Sequence, residues 1–196
     1  MRIVSARVRV FLGVLVITAL AGVSVYGSGS AEVAMSGETE ALLTSLSIQP
    51  VRGMQAAPAF EVPTLDGDTI TVDSFRGQYV FLNFWATWCG PCVHEMPAMQ
   101  ELHDSMDGRM VVVAMNSREN EDLIAPFIET RGFDYPVGID PSGRVTSAYG
   151  VRGLPTTYII DPIGRLVGVK IGAHTWADES VIEGFAELVE LSAEEL

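Results

Sequence analysis

Leu82-Asn83-Phe84-Trp85-Ala86-Thr87-Trp88-Cys89-Gly90-Pro91-Cys92 carries more structural information than any other stretch of this 196-residue chain. Together with Tyr79-Val80-Phe81 before it, the segment runs nearly all apolar and β-favouring as far as Trp85, which predicts a central strand covered on both faces. The two cysteines then open a helix. Pro91 suits its first turn, where the N–H that proline lacks would have gone unpaired. A helix start offers unpaired backbone N–H groups and the positive end of a dipole, and both favour a thiolate over a thiol. Cys89 sits where that help is strongest, and Cys92 lies one turn further in, close enough for a disulfide and withdrawn from solvent. The spacing suits thiol–disulfide exchange, in which the outer sulfur attacks a disulfide and the inner one resolves the mixed disulfide that forms.

Three other readings of the pair compete. A permanent structural disulfide across so short a loop would constrain little of the unfolded chain. Half of a zinc site would need two further ligands, and His94, His103 and His174 are scattered. A copper site built from both thiolates and one distant histidine is chemically reasonable. With only two cysteines the chain lacks the means for a multi-bridge scaffold or a four-thiolate zinc site.

Composition narrows the function further. The chain is 48% apolar and 19% charged, which excludes disorder as its main state. Its formal net charge is −13, and Arg2, Arg7 and Arg9 account for three of its 12 basic residues, so the remainder is more acidic still. Such a surface repels phosphate backbones and excludes nucleic acid as an expected partner. No metal or other cofactor is expected beyond the cysteine pair itself.

Between Val10 and Ala31 no residue is charged, a length close to the roughly 20 residues that cross a bilayer as a helix. Arginines before the run and acids after it orient the N-terminus to the cytoplasm and the rest outside. A cleaved signal peptide is the alternative, since Ala19-Leu20-Ala21 and Gly29-Ser30-Ala31 both fit small-x-small cleavage sites. Either way the folded part is exported. Residues 1–31 are therefore read as signal-anchor or signal peptide, 32–56 as a small, polar, acidic linker with room for a short helix around Glu38 to Leu46, and 57–196 as the folded domain.

Within that domain Leu65-Asp66-Gly67-Asp68, flanked by Phe60–Val62 and Thr69–Val72, predicts a hairpin. After the cysteine helix come a strand Met110–Met115, a helix from Glu119 to Thr130 and a short helix from Gly143 to Tyr149. A strand Thr156–Ile160, a turn Asp161–Gly164, a strand Arg165–Ile171 and a closing helix from Asp178 to Leu191 complete the domain. Alternation of strands and helices, then two adjacent strands on a tight turn, predicts an α/β sandwich with a mixed sheet.

These motifs resemble the thioredoxin superfamily. The stretch from Leu82 to Cys92 looks like that family's active-site strand and helix. Gly153-Leu154-Pro155-Thr156-Thr157 is similar to its second signature, a loop with a cis proline, and Pro97 matches its helix-kinking proline. Within the superfamily the early hairpin, the Leu-Asn-Phe-Trp-Ala-Thr-Trp-Cys spelling and the extra helix after Met115 resemble the membrane-tethered, extracytoplasmic TlpA/ResA/CcmG group. The resemblance implies a three-layer thioredoxin-like sandwich. It also implies a thiol–disulfide oxidoreductase that reduces exported proteins, with apocytochrome c or its haem-handling partners among the substrates and electrons supplied by a membrane donor of CcdA/DsbD type.

Several residues acquire expected roles. Thioredoxin itself carries a buried, proton-moving Asp where this chain has Asn83, and an amide does not titrate. Glu95, three residues after Cys92 and hence on the same helical face, is the replacement candidate, as in ResA-like proteins where a glutamate at the matching place tunes the thiols. A negative charge there raises the thiol pKa values and favours a reductant. The bland alternative for Glu95 is a solvated surface carboxylate. Gly90, Pro91, Leu154 and Pro155 are expected to border the substrate, with the backbone of Leu154 free to pair with an extended peptide; an ordinary trans-proline turn is the alternative. Trp88 is read as a lip of the groove rather than core, Phe84 and Trp85 as core, and His94 as surface.

Two rival functions remain open. A peroxiredoxin-like peroxidase would want a proline seven residues and a threonine three residues ahead of its reactive cysteine, but Leu82 and Ala86 stand there before Cys89. A Sco-type copper chaperone uses cysteines one residue further apart plus a histidine.

Overall fold

The structure is a computed structural model that describes residues 35–195, with side chains described as far as residue 191. The proposed anchor or signal segment 1–31 lies outside those residues. Among the described residues no helix is long and apolar enough to cross a membrane.

The run ending at Trp85 forms β4 (Tyr79–Trp85), buried along its whole length as its composition predicts. It pairs in parallel with β5 (Met110–Ser117), which pairs in parallel with β6 (Val137–Asp140). On its other side β4 meets β7 (Thr156–Ile160) antiparallel, and β7 continues antiparallel to β8 (Leu166–Ile171). At the far edge β1 (Gln49–Pro50) pairs antiparallel with β8, giving a six-stranded mixed sheet in the order β1-β8-β7-β4-β5-β6. The hairpin on the Asp66-Gly67 turn forms as a separate two-stranded sheet, β2 (Glu61–Pro63) with β3 (Thr69–Thr71). Gly67 has φ +83°, the left-handed backbone for which glycine suits the turn.

Alternation along β4 sends successive side chains to opposite layers. Phe81 and Trp85 join the larger core with Met96, Met99 and Leu102 of α2 (Gly90–Ser105), Ile124 of α3 (Glu121–Glu129) and Phe185 of α5 (Glu179–Glu195). Val80, Leu82 and Phe84 face the smaller core with Val62 and Ile70 of the hairpin and Val145 of α4 (Arg144–Ala148). The mixed α/β sandwich expected from the sequence is present.

Within residues 32–56, expected to be a linker, the short helix for which the sequence leaves room forms as α1 (Gly37–Ser45). Two strands, β1 and β6, differ from the sequence reading. Ser36 caps α1 by accepting the Thr39 N–H at 3.2 Å, and Leu43, Leu46 and Ile48 are buried in the larger core. The folded unit therefore begins before residue 57: the small, polar composition hides three apolar residues with a structural use. Strand β6 is absent from the sequence reading because Val137-Gly138-Ile139-Asp140 is short, contains glycine and is hemmed by Pro136 and Pro141.

Candidate active site

Chain leaves β4 at Trp85 and turns through Ala86-Thr87-Trp88 before entering α2. Cys89 is the N-cap of that helix: its sulfur accepts the Cys92 N–H at 3.3 Å and its carbonyl accepts the Val93 N–H at 3.1 Å. Cys89 and Cys92 are joined in a disulfide with Cα atoms 5.3 Å apart. Their sulfurs thus meet the unpaired donors and the dipole of a 16-residue helix, an environment that favours thiolate once the bond opens. Both cysteines are buried, Cys89 at 5% exposure and Cys92 at 1%, so the outer sulfur is less open than its place at a helix start suggests. Trp88 next to it is 73% exposed rather than core, whereas Phe84 and Trp85 are core. Gly90 and Pro91 are exposed, as is His94.

The turn before the cysteines is held by Glu119. Its carboxylate accepts the Thr87 N–H at 2.7 Å, the Thr87 hydroxyl at 2.5 Å and the Asn116 side-chain N–H at 2.8 Å. Sequence reasoning overlooks this residue because it looks like one more acid at a helix start, and Thr87, the partner that links it to the cysteine turn, comes from a distant element.

Glu95 lies one turn below Cys92 on α2 and is only 3% exposed, which removes the solvated-surface alternative. Three N–H donors converge on its carboxylate: Asn83 at 2.8 Å, the His174 backbone at 3.1 Å and Trp176 Nε1 at 3.1 Å. Asn83 also donates to Thr157 Oγ1 at 3.0 Å, tying α2 to β4 and β7. Burial away from water outweighs these bonds and holds the Glu95 pKa above its ordinary value. Residues i and i+3 on a helix are neighbours, about 5–6 Å between Cβ atoms, which places this carboxyl beside the inner cysteine. Asn83 and Glu95 thus form one buried pair. The parts played by His174 and Trp176 are not legible from sequence, since the chain returns to the site from far beyond the cysteines.

The Leu154–Pro155 peptide is cis, so the trans-turn alternative falls. Pro155 is buried and its carbonyl accepts the Gly172 N–H at 2.9 Å. Leu154 is partly buried against the core that contains both cysteines, and it lines with Trp88 a cavity of about 300 Å³. No backbone hydrogen bond to Leu154 occurs among the described residues. Neither cysteine lines this cavity, and a larger one of about 640 Å³, between β2 and α4, is lined by neither a cysteine, Trp88 nor Leu154. Among the described residues no group of three or more His, Cys, Asp or Glu side chains is arranged to hold a metal ion.

This geometry finds close parallels in known proteins. The family model described as AhpC/TSA matches residues 54–169. The chain belongs to the AhpC/TSA family. Among curated relatives, the thiol-disulfide oxidoreductase ResA of Halalkalibacterium halodurans is 37% identical over 143 residues, covering 72% of this chain and 80% of the relative. The thioredoxin-like protein YneN of Bacillus subtilis is 38% identical over 124 residues, 62% of this chain and 72% of that one. A structure described as a DsbE-type thiol:disulfide interchange protein from Chlorobium tepidum superposes with TM-score 0.63 at 28% identity, covering 69% of this chain and 96% of that one. StoA of Bacillus subtilis gives TM-score 0.56 at 26% identity, covering 67% and 96%. The fold is thioredoxin-like, and the family member described here is a thiol–disulfide oxidoreductase. Leu82 and Ala86, where a peroxidase would place its proline and threonine, are fully buried apolar residues.

Proposed function

We propose that the protein works outside the cytoplasm as a reductant of disulfides in exported proteins, with residues 1–31 as its membrane anchor or export signal. In the reduced enzyme the Cys89 thiolate attacks one sulfur of the substrate disulfide. That bond breaks, a mixed disulfide forms, and the other substrate sulfur departs as a thiolate that takes up a proton. Cys92 passes its proton to the Glu95 carboxylate and attacks Cys89, releasing the second substrate sulfur and closing the enzyme disulfide. Two electrons have moved to the substrate. Trp88, Gly90 and Pro91 border the incoming chain, and the backbone of Leu154 before Pro155 pairs with it.

Glu95 is the observation that carries the reading. A carboxyl whose pKa is raised by burial lies nearer the working pH than an ordinary one, and a proton carrier is most effective there. When ionised beside Cys92 it disfavours the thiolate, which opposes the helix dipole and keeps the pair from being a strong oxidant. Reduced cysteines do not persist unaided in an oxidising compartment, so a membrane donor of CcdA/DsbD type would reset the disulfide. Relatives named ResA and a structure described as DsbE-type support a place among such reductants, and cytochrome c maturation is the proposed setting.

Trapping tests the mechanism. Cys92→Ser, reduced and mixed with insulin, is expected to accumulate a mixed disulfide through Cys89 visible on a non-reducing gel, and Cys89→Ser to form none. Equal trapping by both variants, or full turnover by either, overturns the assignment.

A further inference from the structure

Four of the eight arginines among the described residues are paired with acids. Arg52 bridges Glu40, Arg76 bridges Asp73, Arg109 bridges Glu190 and Arg165 bridges Asp161. Arg131, which lies over the Phe127 ring, and Arg144 make no ion pair, and nor do Arg118 and Arg152, although acidic residues outnumber basic ones 25 to 12 in the chain. Arg118 and Arg152 are set apart by their position. Both are exposed and neither makes an ion pair among the described residues. Arg118 reaches only the Ser147 hydroxyl, at 3.5 Å. Its nearest acid in sequence, Glu119, is buried and already committed to Thr87 and Asn116. Asp140, whose carbonyl accepts the Arg118 N–H, spends its carboxylate on Thr146 at 2.8 and 2.9 Å.

These two cations share one place. Arg118 leaves the end of β5, Arg152 stands in the loop before the cis peptide, and both line the cavity of about 300 Å³ that Trp88 and Leu154 also line. The exposed indole that precedes Cys89, the Leu154 segment before the cis peptide and two guanidinium groups without counter-ions among the described residues thus line one cavity. Guanidinium forks match carboxylates bidentately, and a cleft of one sign concentrates ligands of the other.

We propose that this groove selects extended segments of exported proteins carrying an aspartate or glutamate next to the cysteine under attack, with Arg118 and Arg152 as specificity-determining residues. The acidic balance of the enzyme as a whole disfavours such a segment elsewhere, so the pair of arginines also orients it where it docks. The inference rests on the proposed reductase function and adds the chemistry of the substrate.

Two synthetic peptides with the same internal disulfide test it, one flanked by glutamates and one by glutamines, each reduced by the enzyme with dithiothreitol resetting Cys89 and Cys92. The kcat/KM for the acidic peptide is expected to exceed that for the neutral one by about tenfold at low salt, the gap closing as salt screens it. In the Arg118→Gln/Arg152→Gln double variant the ratio of the two values, which cancels any general loss of activity, falls to near one. Arg152→Glu, a surface change in a residue with no side-chain partner among the described residues, reverses the preference towards a peptide flanked by lysines. Arg52→Gln, beyond the edge strand β1, keeps the wild-type ratio. Reduction of both peptides at equal rates by the wild-type enzyme, or an unchanged ratio in the double variant, overturns the groove assignment while leaving the reductase reading intact. Reduction of neither peptide overturns the reductase reading itself.

Discussion

A carboxylate ringed by three N–H donors and no cation is an unusual thing to bury, and Glu95 is that group. Its folded pKa is raised above 4.5, so from about that pH upward the unfolded chain binds fewer protons than the folded one. Stability accordingly falls as pH rises through the raised value and stays lower above it. Glu95→Gln removes this contribution: the variant's denaturation midpoint, followed across the acid-to-neutral range, is expected to lack the decline that the wild type shows. A Gln amide fits, because the buried Asn83 Oδ1 has no partner and a turned Asn83 accepts from it. The same variant should shift the pH profile of Cys92 alkylation and slow turnover; an unchanged profile contradicts the proton-carrying role. Glu119 has a different task. Glu119→Ala leaves the Thr87 N–H and the Asn116 amide without their acceptor at a cost of about 1–3 kcal/mol, measurable by urea denaturation. At this scale spacing on one helix discloses the cysteine pair and the face that Glu95 shares with Cys92, while the cis proline is legible only through the resemblance of Gly153–Thr157 to the thioredoxin signature. Asn83 was readable as the absence of an acid but not as the donor to Glu95. Residues such as Trp176 and His174 enter the site only through the tertiary fold.

Element by element, legibility follows pattern strength. Strand β4 and α2 carry a continuous apolar run and a helix-opening Cys-Gly-Pro-Cys, and both form where expected. Pro97 stands inside α2, where it removes one backbone donor and is tolerated on an exposed position. Segment 37–50 shows the opposite case: apart from room for a short helix, its small, acidic composition reads as linker, while Leu43, at 0% exposure, is as buried as any core residue. Its role is tested directly by Leu43→Ala, expected to cost about 2–5 kcal/mol in urea or thermal unfolding, as large-to-small changes in a packed core do. A change below about half a kcal/mol, usual for surface substitutions, would return the segment to the linker description.

For the whole molecule the decisive asymmetry is one of charge and placement. A net charge of −13 disfavours nucleic acid and anionic surfaces as partners, and the proposed export signal lies in the arginines ahead of residue 10 and the uncharged run behind them. Mass spectrometry of the membrane fraction is expected to find the chain with its N-terminal segment retained; a mature start just after Ala21 or Ala31 would show a cleaved signal instead. The sandwich architecture was readable because strands and helices alternate in order. The extent of the folded unit was not, because edge strands and covering helices are selected by what they pack against rather than by local periodicity.

Every functional statement depends on Cys89 and Cys92 being a reversible electron-pair switch poised to give electrons away. Equilibrating the purified protein across dithiothreitol and glutathione redox buffers, then counting alkylated thiols by mass, measures this directly. The account predicts a single two-electron transition with a midpoint nearer about −270 mV than about −120 mV. A pair that stays joined or stays open across the whole range, or a midpoint near the oxidising limit, would contradict it.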